Sequence, residues 1–146
     1  MIELRRILVP SDFSETSDAA LRYGTDLARQ FNARLYLFHV PDYPGAATLD
    51  QLWALLSAKE AESLQVECAI RLGLPADEIV RYALDHAADL IVMGTHGREG
   101  VDRLFLGSVA ETVVRRAPCP VLTVHHPERV CVPVREPVHA RNWAPA

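Results

Sequence analysis

The chain is poor in lysine, in cysteine and in long apolar runs. Of its 15 basic residues only Lys59 is a lysine, a bias that fits codon usage and carries no functional argument. The three cysteines, Cys68, Cys119 and Cys131, are an odd number without paired spacing. That argues against a disulfide framework and fits a reducing compartment. No apolar run approaches the roughly 20 residues needed to span a membrane. The opening MIELRRILVP holds too short an apolar stretch for a secretion signal. A cytoplasmic location is the expectation. Positive charge is also scarce: the formal net charge is -4 and the arginines stand singly or in pairs, such as Arg5 with Arg6 and Arg115 with Arg116. No continuous basic stripe exists to track a nucleic-acid backbone. A mononucleotide partner stays open.

What the chain does have is apolar content arranged in alternation. Its 146 residues, 49% hydrophobic and 23% charged, suffice for one buried core. Arg6 to Pro10 reads as a strand, followed by a capped helix with Ser14 or Thr16 at its start and Ala20, Tyr23 or Gly24, Leu27 and Ala28 on one face. Arg34 to Val40 is a second strand. LDQLWALLSAKEAESL reads as one helix with Leu52, Leu55 and Leu56 inward. Val66 to Arg71 is a third strand, and Pro75 starts a helix in which Ile79, Val80, Ala83 and Ala87 recur. Leu90 to Met93, a helix over Gly107 to Arg116 and a strand over Val121 to Val124 complete a βαβαβαβαβ order. Such alternation implies an α/β fold, a single-domain doubly wound parallel sheet of five strands with helices on both faces.

The richest stretch is VMGTHGREGVDRLFLGSVAETVV, Val92 to Val114. Gly94 and Gly97 follow a strand, and Gly107 with Ser108 opens a helix. Glycine admits main-chain N–H groups to an anion, and a helix N-terminus offers unpaired donors. In doubly wound sheets ligands lie beyond the carboxyl ends of the strands, where the strand order reverses. If the first and fourth strands are neighbours, Pro10 to Asp12 meets Met93 to Gly97 there. Asp12 either accepts hydrogen bonds from a ribose or caps the following helix. Ser108 reads as a cap whose hydroxyl also faces the phosphate.

These residues resemble the nucleotide-binding universal stress proteins, whose signature Gly-x2-Gly-x9-Gly-(Ser/Thr) is complete in Gly94, Gly97, Gly107 and Ser108. The likeness runs through ILVPSDFSETSDAAL, ADLIVMGTHG and GSVAETVVRRAPCPVLTV, about residues 3 to 125. It implies a Rossmann-like fold of the adenine nucleotide alpha hydrolase type with strand order 3-2-1-4-5. It also implies ATP in the crevice: Pro10, Ser11 and Asp12 on the adenine and ribose side, and Val40 touching adenine through its backbone. Met93 and Gly94 then border ribose and phosphates, and Gly97, Gly107, Ser108 and Val109 hold the phosphates. A divalent metal, Mg or Mn, would be held mainly by those phosphates. Members of the family commonly form homodimers through the strand matching Val121 to Val124. The domain is expected over 1–126, with a Pro-rich extension over 127–146.

Ser108 is not preceded by a Walker lysine, which speaks against fast hydrolysis. Arg98 and Arg103 are candidates to reach the phosphates, or are solvated loop residues. His96 reads as a surface residue. Pro41 to Gln65 is shorter than the family usually has, which opens the base side. In the tail, VCVPV is a candidate edge strand. Cys119, His125, His126, Cys131 and His139 carry zinc-type ligands without zinc-type spacing. Three functions remain: an ATP-binding regulatory and stress-response module, a slow ATPase or phosphoryl-transfer enzyme in the same crevice, or a dimer of this fold that holds no nucleotide.

Overall fold

The computed structural model describes residues 1–95 and 107–125. Expectations that rest on His96, Gly97, Arg98, Arg103, His126 or the tail 127–146 lie outside the described residues. Within them, β1 (Arg6–Pro10), β2 (Arg34–His39), β3 (Val66–Ile70), β4 (Leu90–Gly94) and β5 (Val121–Val124) form one sheet. All pairings are parallel and the order is β3-β2-β1-β4-β5. The expected α/β class and strand order are those the chain adopts. In β1, Ile7 pairs with Leu35 on one side and Leu90 on the other. Ile7, Leu8 and Val9 are all fully buried, which is why this strand is continuously apolar instead of alternating.

Two cores follow from that burial. Ile7, Val9, Leu35, Leu37 and Val92 pack under α1 (Glu15–Phe31) and α2 (Leu49–Trp53) on one face, where Leu52 and Leu56 join them; the short α3 (Ala58–Ser63) has no buried residue. On the other, Leu8, Phe38, Ile91 and Met93 pack under α4 (Pro75–Asp85) and α5 (Ser108–Arg116) through Ile79, Ala83, Ala110 and Val113. Helix α1 is capped by Ser14, whose side chain accepts from the Ser17 amide. It turns Gly24 inward and leaves Tyr23 exposed. A Cβ on Gly24 would stand 2.4 Å from Val9 Cγ2, so the helix lies directly on β1.

Two expectations about helices are corrected. The stretch 49–64 is two helices, not one, because Ser57 restarts it: its Oγ accepts from Glu60 N at 3.1 Å and Glu60 Oε2 accepts from Ser57 N at 2.9 Å. This reciprocal box is the local signal of a helix start. Leu52 and Leu56 still face inward. Ala87 is not part of α4: it lies past the helix end at φ 49. The amides of Ala88 and Ala87 bond back to Ala83 O (2.9 Å) and Leu84 O (3.2 Å), the double closure of a Schellman end. Just beyond, Asp89 Oδ2 accepts from the amides of Arg5 (2.8 Å) and Arg6 (2.9 Å), clamping the start of β1 to that of β4. Among the described residues no helix is long and apolar enough to cross a membrane.

Candidate functional site

Between β1 and β4 the winding reverses. Helix α1, after β1, covers one face, while α5, after β4, covers the other, so the loops leaving these neighbouring strands diverge and leave a crevice. Its volume is about 1140 Å³. Pro10, Ser11 and Asp12 line it from the end of β1, and Val40 from the end of β2. Met93 and Gly94 line it from β4, and Gly107, Ser108 and Val109 from the start of α5. Gly97 and Arg98 complete the expected set and lie outside the described residues.

The β1–α1 turn is tightly tied. Ser11 N donates to Phe38 O at 2.8 Å, continuing the β1–β2 ladder by one residue. The buried Ser11 Oγ accepts from Phe13 N at 3.1 Å and lies 3.3 Å from Ser17 Oγ. Asp12, half-buried, accepts the Ser14 amide on Oδ1 at 3.0 Å, so this carboxylate braces the turn and lines the crevice at once. Phe13 sits at φ 64, a left-handed conformation that side chains disfavour. Its ring meets the His39 ring edge-on, with centroids 4.6 Å apart. His39 Nδ1 lies 2.7 Å from Ser11 O. Neither Phe13 nor His39 carried a signal in the sequence.

Gly94 and Gly107 serve two different needs. A Cβ on Gly94 would stand 2.6 Å from Thr16 C, 2.7 Å from Thr16 O and 2.9 Å from Ser17 N. The first turn of α1 is seated against this glycine, so the space its missing side chain leaves is filled by protein backbone. Gly107 is the N-cap of α5, at φ 87 and ψ 151, where only glycine is unstrained. Ser108, read from sequence as a cap, is instead the first residue of the helix, and no side chain among the described residues caps α5. The first-turn amides of Ser108, Val109 and Ala110 therefore have no intrahelical partner, and all three residues line the crevice. With the helix dipole, they make an electropositive end suited to an anion.

The segment after β2 supplies Asp42, Tyr43, Gln51 and Ala54 to the lining, so the trimmed stretch 41–65 does reach the crevice. Gln51 was marked in sequence only by the box it makes with Thr48 at the start of α2. At the α1 end, burial raises the carboxyl of Asp18; Arg22 opposes the shift, and Asp12 and Glu15 add to it. No lysine or arginine lines the crevice among the described residues, and Lys59 is exposed on α3.

The zinc alternative loses one pairing here. Cys119 precedes β5 and His125 follows it, about 20 Å apart along an extended strand, too far to share an ion. Among the described residues no three His, Cys, Asp or Glu side chains cluster as metal ligands.

The sequence model of the universal stress protein family matches residues 3–125. A universal stress protein of Methanocaldococcus jannaschii is 35% identical over 143 residues, covering 86% of this chain and 84% of the relative. One from Thermus aquaticus is 37% identical over 136 residues, covering 82% and 98%. A solved structure of a universal stress protein in complex with cAMP superposes with a TM-score of 0.68 at 31% identity, covering 86% and 99%. The family model over residues 3–125 and these relatives agree: the chain belongs to the universal stress protein family.

Proposed function

We propose that this protein is an ATP-binding regulatory module. The observation that carries the reading is the N-terminus of α5, which no described side chain caps and which opens on the same crevice as Asp12. Phosphates lie on the amides of Ser108 and Val109 around Gly107, joined by Gly97 and Arg98 from the connecting segment. Pro10, Ser11 and Asp12 hold the ribose side, with Met93 and Gly94 between. Val40 meets the base, walled by Tyr43 and Gln51. A Mg or Mn ion travels with the nucleotide, held mainly by its phosphates. The family relative solved with cAMP, another adenine nucleotide, supports the class of ligand.

Holding is favoured over turnover. Charge developing on a transferred phosphoryl group needs a cation close by, and the chain's one lysine stands outside the crevice. Nucleotide occupancy then acts by shifting contacts with other molecules. The second copy that we infer pairs through β5, the outermost strand among the described residues and one with Leu122 exposed, since apolar edges are ordinarily covered.

Mass spectrometry of ligand released from freshly purified, denatured protein, together with ATP titration, tests the reading. Adenine nucleotide should be released or bound, and Gly107→Val or Asp12→Ala should weaken binding. No released nucleotide and no binding would overturn it. Phosphate release that disappears in both variants would favour the ATPase alternative. Sedimentation equilibrium of wild type against Leu122→Arg checks the dimer.

A further inference from the structure

We propose that His39 is a positioning residue for this crevice, aiming Asp12 by holding the peptide plane in front of it; the proposal rests on the nucleotide reading above. His39 ends β2 and is 8% exposed. Its Nδ1 lies 2.7 Å from Ser11 O. A carbonyl only accepts, so Nδ1 carries the hydrogen and donates it. Ser11 O belongs to the peptide group that contains the Asp12 amide, and a peptide group is rigid. Fixing that oxygen fixes the direction in which Asp12 leaves the turn.

The need for such a hold is visible one residue on. Phe13 occupies φ 64, which costs roughly 1–2 kcal/mol for a residue with a Cβ. A strained residue persists only where its surroundings determine it. Here the surroundings are the Phe13 amide on Ser11 Oγ at 3.1 Å and the Phe13 ring edge-on to His39. One imidazole thus supports both sides of Asp12, through the Ser11 carbonyl before it and the Phe13 ring after it. Remove the donor and a buried carbonyl is left unpaired. The turn then relaxes by rotating the Ser11–Asp12 peptide and releasing Phe13, and the carboxylate swings with it.

The test exploits where each amide side chain places its N–H. In His39→Asn, Nδ2 stands near the position of the imidazole Nδ1; in His39→Gln the donor is one bond further out, and His39→Leu has none. ATP affinity measured by calorimetry should fall about tenfold or more in the Leu and Gln variants, and Asn should restore most of it. If the Leu variant does not fold, the Asn and Gln pair decides. His39→Gln added to Asp12→Ala should weaken binding no further than Asp12→Ala alone, because both act through one carboxylate. Independently of any nucleotide, ring-nitrogen NMR should show the Nδ1–H tautomer. Wild-type affinity in the Leu variant, equal affinities for Asn and Gln, additive losses or the Nε2–H tautomer would each overturn the proposal while leaving the nucleotide reading intact. Failure of the wild type to bind ATP would remove both.

Discussion

Gly94→Ala should be among the most damaging one-methyl changes in this chain. The added Cβ would fall 2.6 Å from Thr16 C, 2.7 Å from Thr16 O and 2.9 Å from Ser17 N. All three are backbone atoms, so no rotamer change relieves the contact. To regain an ordinary 3.4 Å, the first turn of α1 must retreat by about 0.8 Å. That retreat is resisted along the helix, where Ala20, Gly24 and Ala28 are buried and Gly24 is already in tight contact with Val9. Overpacking a rigid site costs typically 1–3 kcal/mol, and the involvement of backbone alone puts this case near about 3 kcal/mol. For a chain of this size that is a fall in Tm of about 10 °C. Urea denaturation should show the midpoint falling with an unchanged slope. ATP affinity should fall too, since Thr16 and Ser17 line the crevice. A variant within about 0.5 kcal/mol of wild type would refute the claim that α1 is seated on Gly94.

Four further outcomes are expected. Ser57→Ala removes the cap and box that start α3 and should cost about 1 kcal/mol by denaturant titration; no loss would mean α3 needs no such start. Ala87→Gly should gain about 0.5–1 kcal/mol, because Ala87 sits at φ 49 beyond α4 where glycine is unstrained; a loss would show the Schellman end to be misassigned. Tyr82→Phe deletes a buried hydroxyl with no hydrogen-bond partner among the described residues and should raise stability at neutral pH by about 1 kcal/mol. Burial, aided by Glu67, pushes the Tyr82 phenol from 10.0 up to about 12. The folded state thus holds its proton where the unfolded chain releases it, and wild type loses this stability as pH rises from about 10 to about 12, a loss the Phe variant escapes. Burial likewise pushes the Cys68 thiol from 9.0 up to about 11. Its alkylation by iodoacetamide at pH 8, followed by peptide mapping, should run about a hundredfold slower than for a free thiol; equal rates would refute the burial argument.

The strands were legible because each is a short apolar run closed by a breaker, and the central one is buried on both faces. Gly107 was legible for a related reason: a helix start that must adopt a left-handed backbone advertises its glycine. Where helices end was harder to read. Apolar spacing continues across Ser57 although the backbone restarts there, and the Ser57–Glu60 and Thr48–Gln51 pairs were the overlooked signs. Ala87 fits a helical period but lies in a Schellman end, where alanine is an uncommon occupant. That Gly94, which lines the crevice, also seats α1 was not legible, because sequence does not reveal that the helix reaches its back. Phe13 and His39 left no trace, since a strained turn residue and the imidazole that supports it are 26 positions apart and obey no periodicity.

The Asp89 clamp sets a schedule for the molecule's birth. It joins residues 84 positions apart, so at about 5–20 residues per second of synthesis β1 waits several seconds for its second neighbour. During that interval β1, β2 and β3 can assemble, but the edge of β1 that will later receive β4 faces water as an open template. The amides of α5 emerge later still. Any ligand that needs both Asp12 and the start of α5 can recognise only a chain whose sheet is complete. Occupancy of the crevice would then mark finished molecules and stabilise them alone, leaving truncated chains to the proteases.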